Sequence, residues 1–252
     1  MTARSETIQI DIDDEQMIGT FLSPKSKVPG VLFVHGWGGS QERDLERAKG
    51  IAGLGCVCLT FDLRGHTGGA GIALNRVTRE DNLRDLLAAY DRLLAHPALD
   101  TSAIAVVGTS YGGYLASILT SLRPVRWLAL RVPALYRDDQ WHTPKRELDK
   151  LDLRDYRSTL VRADSNRALH ACSQFTGDVL LVESETDDYV PHATIMSYRA
   201  ACQQTHSLTH RIIDGADHAL SEPVSQQAYT SILVDWITEM VVGERLSIIQ
   251  ST

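Results

Sequence analysis

Gly108-Thr109-Ser110-Tyr111-Gly112 is the stretch of this sequence best suited to making and breaking bonds. It stands between an apolar, β-branched run, Ile104-Ala105-Val106-Val107, and a helix-compatible stretch from Gly113 to Leu122. Strand, Gly-x-Ser-x-Gly, helix is the order of a nucleophile elbow, in which a tight turn forces the serine outward on a strained backbone. Only small neighbours leave such a turn room. At the start of a helix the serine also meets the end of the dipole that favours developing negative charge. The pentapeptide alone arises by chance in about one chain in ten of this length, so its surroundings carry the argument. A serine hydroxyl is a poor nucleophile until an imidazole takes its proton and a carboxylate orients that imidazole. Both partners should follow the serine in chain order. Glu185, Asp187 and Asp188 follow the apolar run Val179–Val182, and Asp214-Gly215-Ala216-Asp217-His218 follows the last one. Each candidate stands just past the end of a predicted strand, where open parallel sheets gather their binding groups.

The elements that must position these residues alternate along the chain. Strands are predicted over Thr7–Ile12, Met17–Leu22, Val28–His35, Val57–Asp62, Ile104–Gly108, Val125–Arg131, Val179–Glu183 and Leu208–Ile213. Helices are predicted over Glu42–Leu54, Arg79–Ala95, Gly113–Leu122, Ala193–Gln203 and Val224–Val242, with Leu86, Leu87, Tyr90, Leu93 and Leu94 forming an apolar helical face. Interleaved strands and helices imply an α/β fold: a mostly parallel eight-stranded sheet joined by right-handed crossovers, with helices on both faces. The first two strands are close enough to form an antiparallel hairpin at one edge. One domain over residues 1–252 accommodates all of this. From Pro133 to about Phe175 the pattern turns strongly charged, and a structureless loop of that length is not expected inside a compact domain. A small helical cap inserted after strand 6 is the expectation, against a solvated helix replacing an ordinary crossover.

Composition narrows the function classes. Hydrophobic residues make up 43% and charged residues 23% of 252, ordinary for a soluble globular chain. A net charge of -7 argues against nucleic acid or an anionic membrane as partner. Cys56, Cys58, Cys172 and Cys202 show no metal or redox spacing and read as core packing. The first ten residues hold no apolar leader core, and no stretch is long enough to span a membrane, so a cytoplasmic protein is expected. No cofactor and no metal is required. His206 and His210 have metal-like spacing, but on a loop and strand they would not share a helical face. The tail Glu244–Thr252 reads as a frayed end or an interface strand, and oligomeric state is left open.

Five ordered motifs together carry a resemblance: His35-Gly36-Trp37-Gly38-Gly39-Ser40, Asp62-Leu63-Arg64-Gly65-His66, the elbow, Asp187-x-x-Val190-Pro191, and Gly215-Ala216-Asp217-His218. Over about Val28 to Val242 the chain resembles the α/β-hydrolase superfamily, in particular its small serine hydrolases of dienelactone-hydrolase-like, feruloyl-esterase-like and serine-aminopeptidase-like type. The resemblance implies Ser110 as nucleophile, Asp187 as orienting acid over its neighbours Glu185 and Asp188, and His218 as general base. It implies an oxyanion hole built from the backbone N–H groups of Trp37 and Tyr111, and it gives His35 and Arg64-Gly65-His66 turn-building roles without chemistry. Asp217 is expected to shape its loop and His192 to cap a helix or sit on the surface.

The reaction so implied is hydrolysis of a carboxylic ester through an acyl-enzyme. Amide, peptide, thioester or lactone cleavage runs on the same triad, and a non-catalytic binding module is the reading from another class. A lipase lid should present a broad apolar face, whereas the 133–175 stretch is dominated by paired charges, which favours small, soluble esters. Leu135, Tyr136 and Trp141 are expected to line a modest acyl or aryl pocket. Arg131, at the end of its strand, is expected to pair with carboxylates of the inserted stretch, against the alternative of binding an anionic substrate.

Overall fold

The computed structural model describes residues 4–13, 15–23, 27–66 and 73–250. Eight strands form one sheet: β1 (Arg4–Ile12), β2 (Glu15–Ser23), β3 (Val28–Val34), β4 (Val57–Phe61), β5 (Leu99–Thr109), β6 (Trp127–Arg131), β7 (Asp178–Ser184) and β8 (Ser207–Ile213). They lie in the order β1-β2-β4-β3-β5-β6-β7-β8. β1 and β2 form the antiparallel edge hairpin, β2 is antiparallel to β4, and every later pairing is parallel. β5 begins five residues earlier than its apolar core suggested. Leu99 pairs with Val28, and the polar Asp100-Thr101-Ser102 that follows hid this extension from a hydrophobicity reading.

Among the described residues seven helices accompany the sheet: α1 (Glu42–Gly53), α2 (Arg79–Leu94), α3 (Tyr111–Leu119), α4 (Lys150–Arg157), α5 (Arg167–Gln174), α6 (His192–Ala201) and α7 (Pro223–Gln250). Alternation along the strands sorts side chains to two cores. Val28, Leu32 and Val34 of β3 join α2, α3, α5 and α6 on one face, while Val31 and Phe33 join α1 and α7 on the other. α2 starts where Thr78 accepts from the Asp81 N–H and the Asp81 carboxylate accepts from the Thr78 N–H, a reciprocal cap. α7 opens on Pro223, whose missing N–H costs a helix nothing in its first turn. The helix continues to Gln250, so the expected frayed end or strand at the tail is helical backbone instead, and residues 251–252 lie outside the described residues.

The stretch 133–175 holds α4, α5 and three short 3₁₀ turns at Asp138–Gln140, Lys145–Glu147 and Ala163–Ser165. Its two helices differ in kind. α5 buries Ala168, Leu169, Ala171 and Cys172 against the core shared with α3, which makes it the crossover between β6 and β7. α4 buries only Arg157 and exposes Leu151, so it is the excursion above the sheet's edge of loops.

Candidate active site

Ser110 sits between β5 and α3 at φ 53° and ψ -113°, a conformation L-residues rarely adopt. Three backbone hydrogen bonds hold it there. Its N–H donates to the Arg131 carbonyl at 2.9 Å, and its own carbonyl accepts from Ala134 at 3.0 Å and Tyr114 at 3.1 Å. The two flanking glycines are sterically required. A Cβ on Gly108 would lie 2.6 Å from the Gly113 Cα, and one on Gly112 would lie 2.1 Å from the Val34 carbonyl oxygen. α3 therefore starts at Tyr111, two residues before the expected Gly113, because β3 and α3 meet backbone to backbone.

The other two expected members converge on this serine. His218 Nε2 lies 3.1 Å from Ser110 Oγ, and His218 Nδ1 lies 2.6 Å from Asp187 Oδ2. The second Asp187 oxygen accepts the N–H groups of Tyr189 and Val190, both at 2.7 Å. A carboxylate so engaged accepts from Nδ1–H and holds the proton there, which leaves the Nε2 lone pair facing the hydroxyl; the tautomer is assigned from these contacts. The Asp187 side chain is 2% exposed and that of His218 22%, so the carboxylate is sealed while the imidazole faces the cleft. Glu185 instead accepts from the Gly215 N–H at 2.6 Å, bracing the loop that carries His218. Thr186 binds the same loop through the Ala216 carbonyl, by its N–H at 2.9 Å and its hydroxyl at 2.8 Å. Asp217 caps the Ser221 N–H at 2.8 Å and its hydroxyl at 2.6 Å, away from the imidazole.

Arg131 is buried and donates both terminal nitrogens to the His218 carbonyl, at 3.1 and 3.0 Å. This replaces the expected pairing with carboxylates of the inserted stretch, since β6 points the side chain toward α7 and Tyr229 rather than upward. Burial lowers its pKa from the usual arginine value. His35 is a structural residue: Nε2 accepts the Leu63 N–H at 3.0 Å and Nδ1 contacts the Gly36 carbonyl at 2.8 Å. Desolvation lowers its pKa, which keeps the ring neutral. Arg64 locks the neighbouring turn through Asp85, with Nε at 2.5 Å and the backbone N–H at 2.9 Å. His192 and His210 approach Glu183 at 2.7 and 3.3 Å, while His206 contacts Asp178 at 2.7 Å, so the metal-like histidine pair serves two separate acids.

A cleft of about 1100 Å³ opens at the serine, lined among others by Trp37, Ser110, Arg131, His218, Arg43 and Gln226. Leu135, Tyr136 and Trp141 do not line it. They are 0%, 2% and 7% exposed and belong to the core beneath the inserted stretch. An apolar side chain that fills space and one that lines it look alike in a sequence, and here packing consumed all three. Two features had no sequence signal. The exposed Tyr189 ring lies 5.2 Å from the His218 ring, and the Lys145 amine sits 4.3 Å from the centre of the Trp37 ring.

A model of the prolyl oligopeptidase family matches residues 44–243, most of the chain and the whole of this constellation except the Trp37 turn. The chain belongs to the prolyl oligopeptidase family. Membership makes it a serine hydrolase of α/β-hydrolase type. Two uncharacterized proteins of Mycobacterium tuberculosis are 27% identical over 240 residues, spanning 93% of this chain and 80% of theirs. Among solved structures, Est1E of Butyrivibrio proteoclasticus with ferulic acid bound superposes at a TM-score of 0.72, with 19% identity over 93% of this chain and 99% of that one. A dienelactone hydrolase of Anabaena variabilis gives 0.65 at 19% identity, over 95% and 99%. Acylaminoacyl peptidase of Pyrococcus horikoshii gives 0.71 at 16% identity, where this family member covers 94% of itself but only 41% of the peptidase chain. At such identities the structural likeness speaks for the fold. Among the described residues, no helix is long and apolar enough to cross a membrane.

Proposed function

We propose that this serine hydrolase cleaves small carboxylic esters through a Ser110–His218–Asp187 triad and an acyl-enzyme. The observation that carries the reading is the pair of contacts, 3.1 Å from hydroxyl to imidazole and 2.6 Å from imidazole to a sealed carboxylate. His218 takes the Ser110 proton as the oxygen attacks the ester carbonyl carbon. The alcohol then leaves with that proton, and a water activated by the same imidazole releases the acid. Asp187 holds the tautomer and stabilises the imidazolium. The N–H groups of Trp37 and Tyr111 receive the oxyanion. The Tyr111 amide suits this role because the first amides of a helix have no intrahelical acceptor and stand at the positive end of its dipole.

Small esters are favoured because α4 and the turns around it carry paired charges rather than an apolar face, as in Arg137 with Asp152 at 3.0 Å and Arg162 with Asp164 at 2.6 Å. The chain also aligns with nearly the whole of the dienelactone hydrolase and the ferulic-acid-binding Est1E. Family membership favours a second reading, cleavage of peptide bonds. A panel of p-nitrophenyl acetate and butyrate against aminoacyl p-nitroanilides, run on wild type and Ser110→Ala, separates the two. The esters should turn over in the wild type and not in the variant. Faster turnover of the anilides would move the chain to the peptidase reading.

A further inference from the structure

Three cations crowd one buried tyrosine, Tyr136, and among the described residues no carboxylate forms an ion pair with any of them. The guanidinium carbons of Arg157 and Arg79 lie 4.7 and 5.3 Å from the centre of the Tyr136 ring, and the Lys145 amine lies 5.7 Å from it. Both arginines spend their hydrogen bonds on backbone carbonyls: Arg157 on Leu135 and Tyr189, Arg79 on Arg137 and Gln140. The Arg79 Nε is buried with no partner. Asp138 is near enough to feel Arg79, but it is paired with Arg167 at 3.5 Å. Among the described residues, none of the three cations forms an ion pair.

Buried cations are ordinarily matched by an anion, because desolvation is not repaid otherwise. The aromatic faces of Trp37, Tyr111 and Tyr136, at 4.3, 5.9 and 5.7 Å from the Lys145 nitrogen, return only part of that cost. The position of this cluster is the informative part. Trp37, on which Lys145 rests, lines the cleft with Ser110 and His218, and its backbone N–H is the proposed oxyanion donor. Lys145 therefore adjoins a wall of the cleft through the Trp37 ring.

We propose that Lys145, with Arg79 and Arg157 behind it, receives a carboxylate on the substrate, so that the preferred ester is anionic. This rests on the esterase reading and names its substrate class. Burial, and then Arg157, Arg79 and Arg146, press the Lys145 amine down to about 7. Around it stand Arg79 of α2, Arg157 of α4, Arg146 of its own turn, the phenols of Tyr111 and Tyr136, and His66, which burial and its neighbours hold at about 4 and thus neutral. With no acid among them, an incoming carboxylate favours the ammonium form, so anion preference fades as the pH rises past 7.

The test compares the p-nitrophenyl monoester of adipic acid with its methyl-capped counterpart, p-nitrophenyl methyl adipate. Wild type should favour the anion in kcat/KM by about tenfold or more, the range of a charge-assisted contact. Lys145→Met should bring the ratio near one, and Lys145→Arg should restore most of the preference. A wild-type ratio of one or less, or a ratio untouched in Lys145→Met, overturns the proposal. A second arm needs no turnover: adipate should raise the melting temperature of the wild type and not of Lys145→Met. If neither ester is hydrolysed, that rise alone upholds the anion site while the esterase reading fails. No rise with adipate, or an equal rise with inorganic phosphate, counts against a substrate-carboxylate site.

Discussion

Ser110, His218 and Asp187 depend on one another through two hydrogen bonds, and this makes single changes informative. Asp187→Asn keeps the size of the side chain but offers Nδ1 an amide in place of a carboxylate, which favours the wrong tautomer. A loss in kcat of about 10⁴ is expected, with substrate binding little changed. A loss below tenfold in steady-state kinetics would assign the orienting role elsewhere, with Glu185 and Asp188 the candidates. Lys145 makes a prediction in stability. Its folded pKa of about 7 lies below the unfolded value of 10.5, so the folded state releases its proton first. The destabilisation is complete below pH 7 and is relieved as the pH rises from about 7 to 10.5. Lys145→Met removes the titrating group, so its urea midpoint should gain on that of the wild type more at pH 6 than at pH 10. Midpoints that stay parallel across that range contradict the assignment.

At the scale of elements, the site is a meeting of strand ends. The serine follows β5, the acid loop follows β7 and the base loop follows β8, all at the same edge of the sheet. That much was legible, because each residue stood after an apolar run and parallel pairing aligns those ends. The cationic cluster was not, since Arg79, Lys145 and Arg157 come from α2, a 3₁₀ turn and α4, and no local spacing links them. Leu135, Tyr136 and Trp141 were visible as apolar residues in a charged stretch, but whether they line or fill a space is decided only by packing. The contact of α3 with β3 is where backbone geometry leaves least freedom. Gly112→Ala places a methyl against the carbonyls of Val34 and His35, at 2.1 and 2.5 Å, with no flexible side chain to yield. It should destabilise the fold by about 2 kcal/mol or more in urea unfolding, and reduce turnover as the elbow shifts. A fully stable, fully active Gly112→Ala would show that this contact is looser than described.

For the molecule as a whole, the continuous sheet is the organising fact. The two cores press on opposite faces of this one sheet, and the inserted stretch shares its apolar contacts with α3 and α6 rather than enclosing a core of its own. Tryptophans report on distinct parts: Trp127 in β6, Trp141 beneath the inserted stretch and Trp236 in α7. Urea unfolding followed by tryptophan fluorescence and by far-ultraviolet circular dichroism should give one coincident transition. A separate early step would show that the 133–175 stretch comes loose alone. The same view explains why net charge misleads. A chain at -7 disfavours anionic partners on average, yet it gathers the positive charge of Arg79, Lys145 and Arg157 around one buried tyrosine.

The most direct measurement is covalent. A fluorophosphonate reacts with a serine only when a neighbouring base has made it nucleophilic, and digestion followed by mass spectrometry locates the adduct. The label should map to the peptide containing Ser110, vanish in Ser110→Ala and slow sharply in His218→Ala. An adduct on any other residue, or labelling that survives Ser110→Ala, would contradict the account.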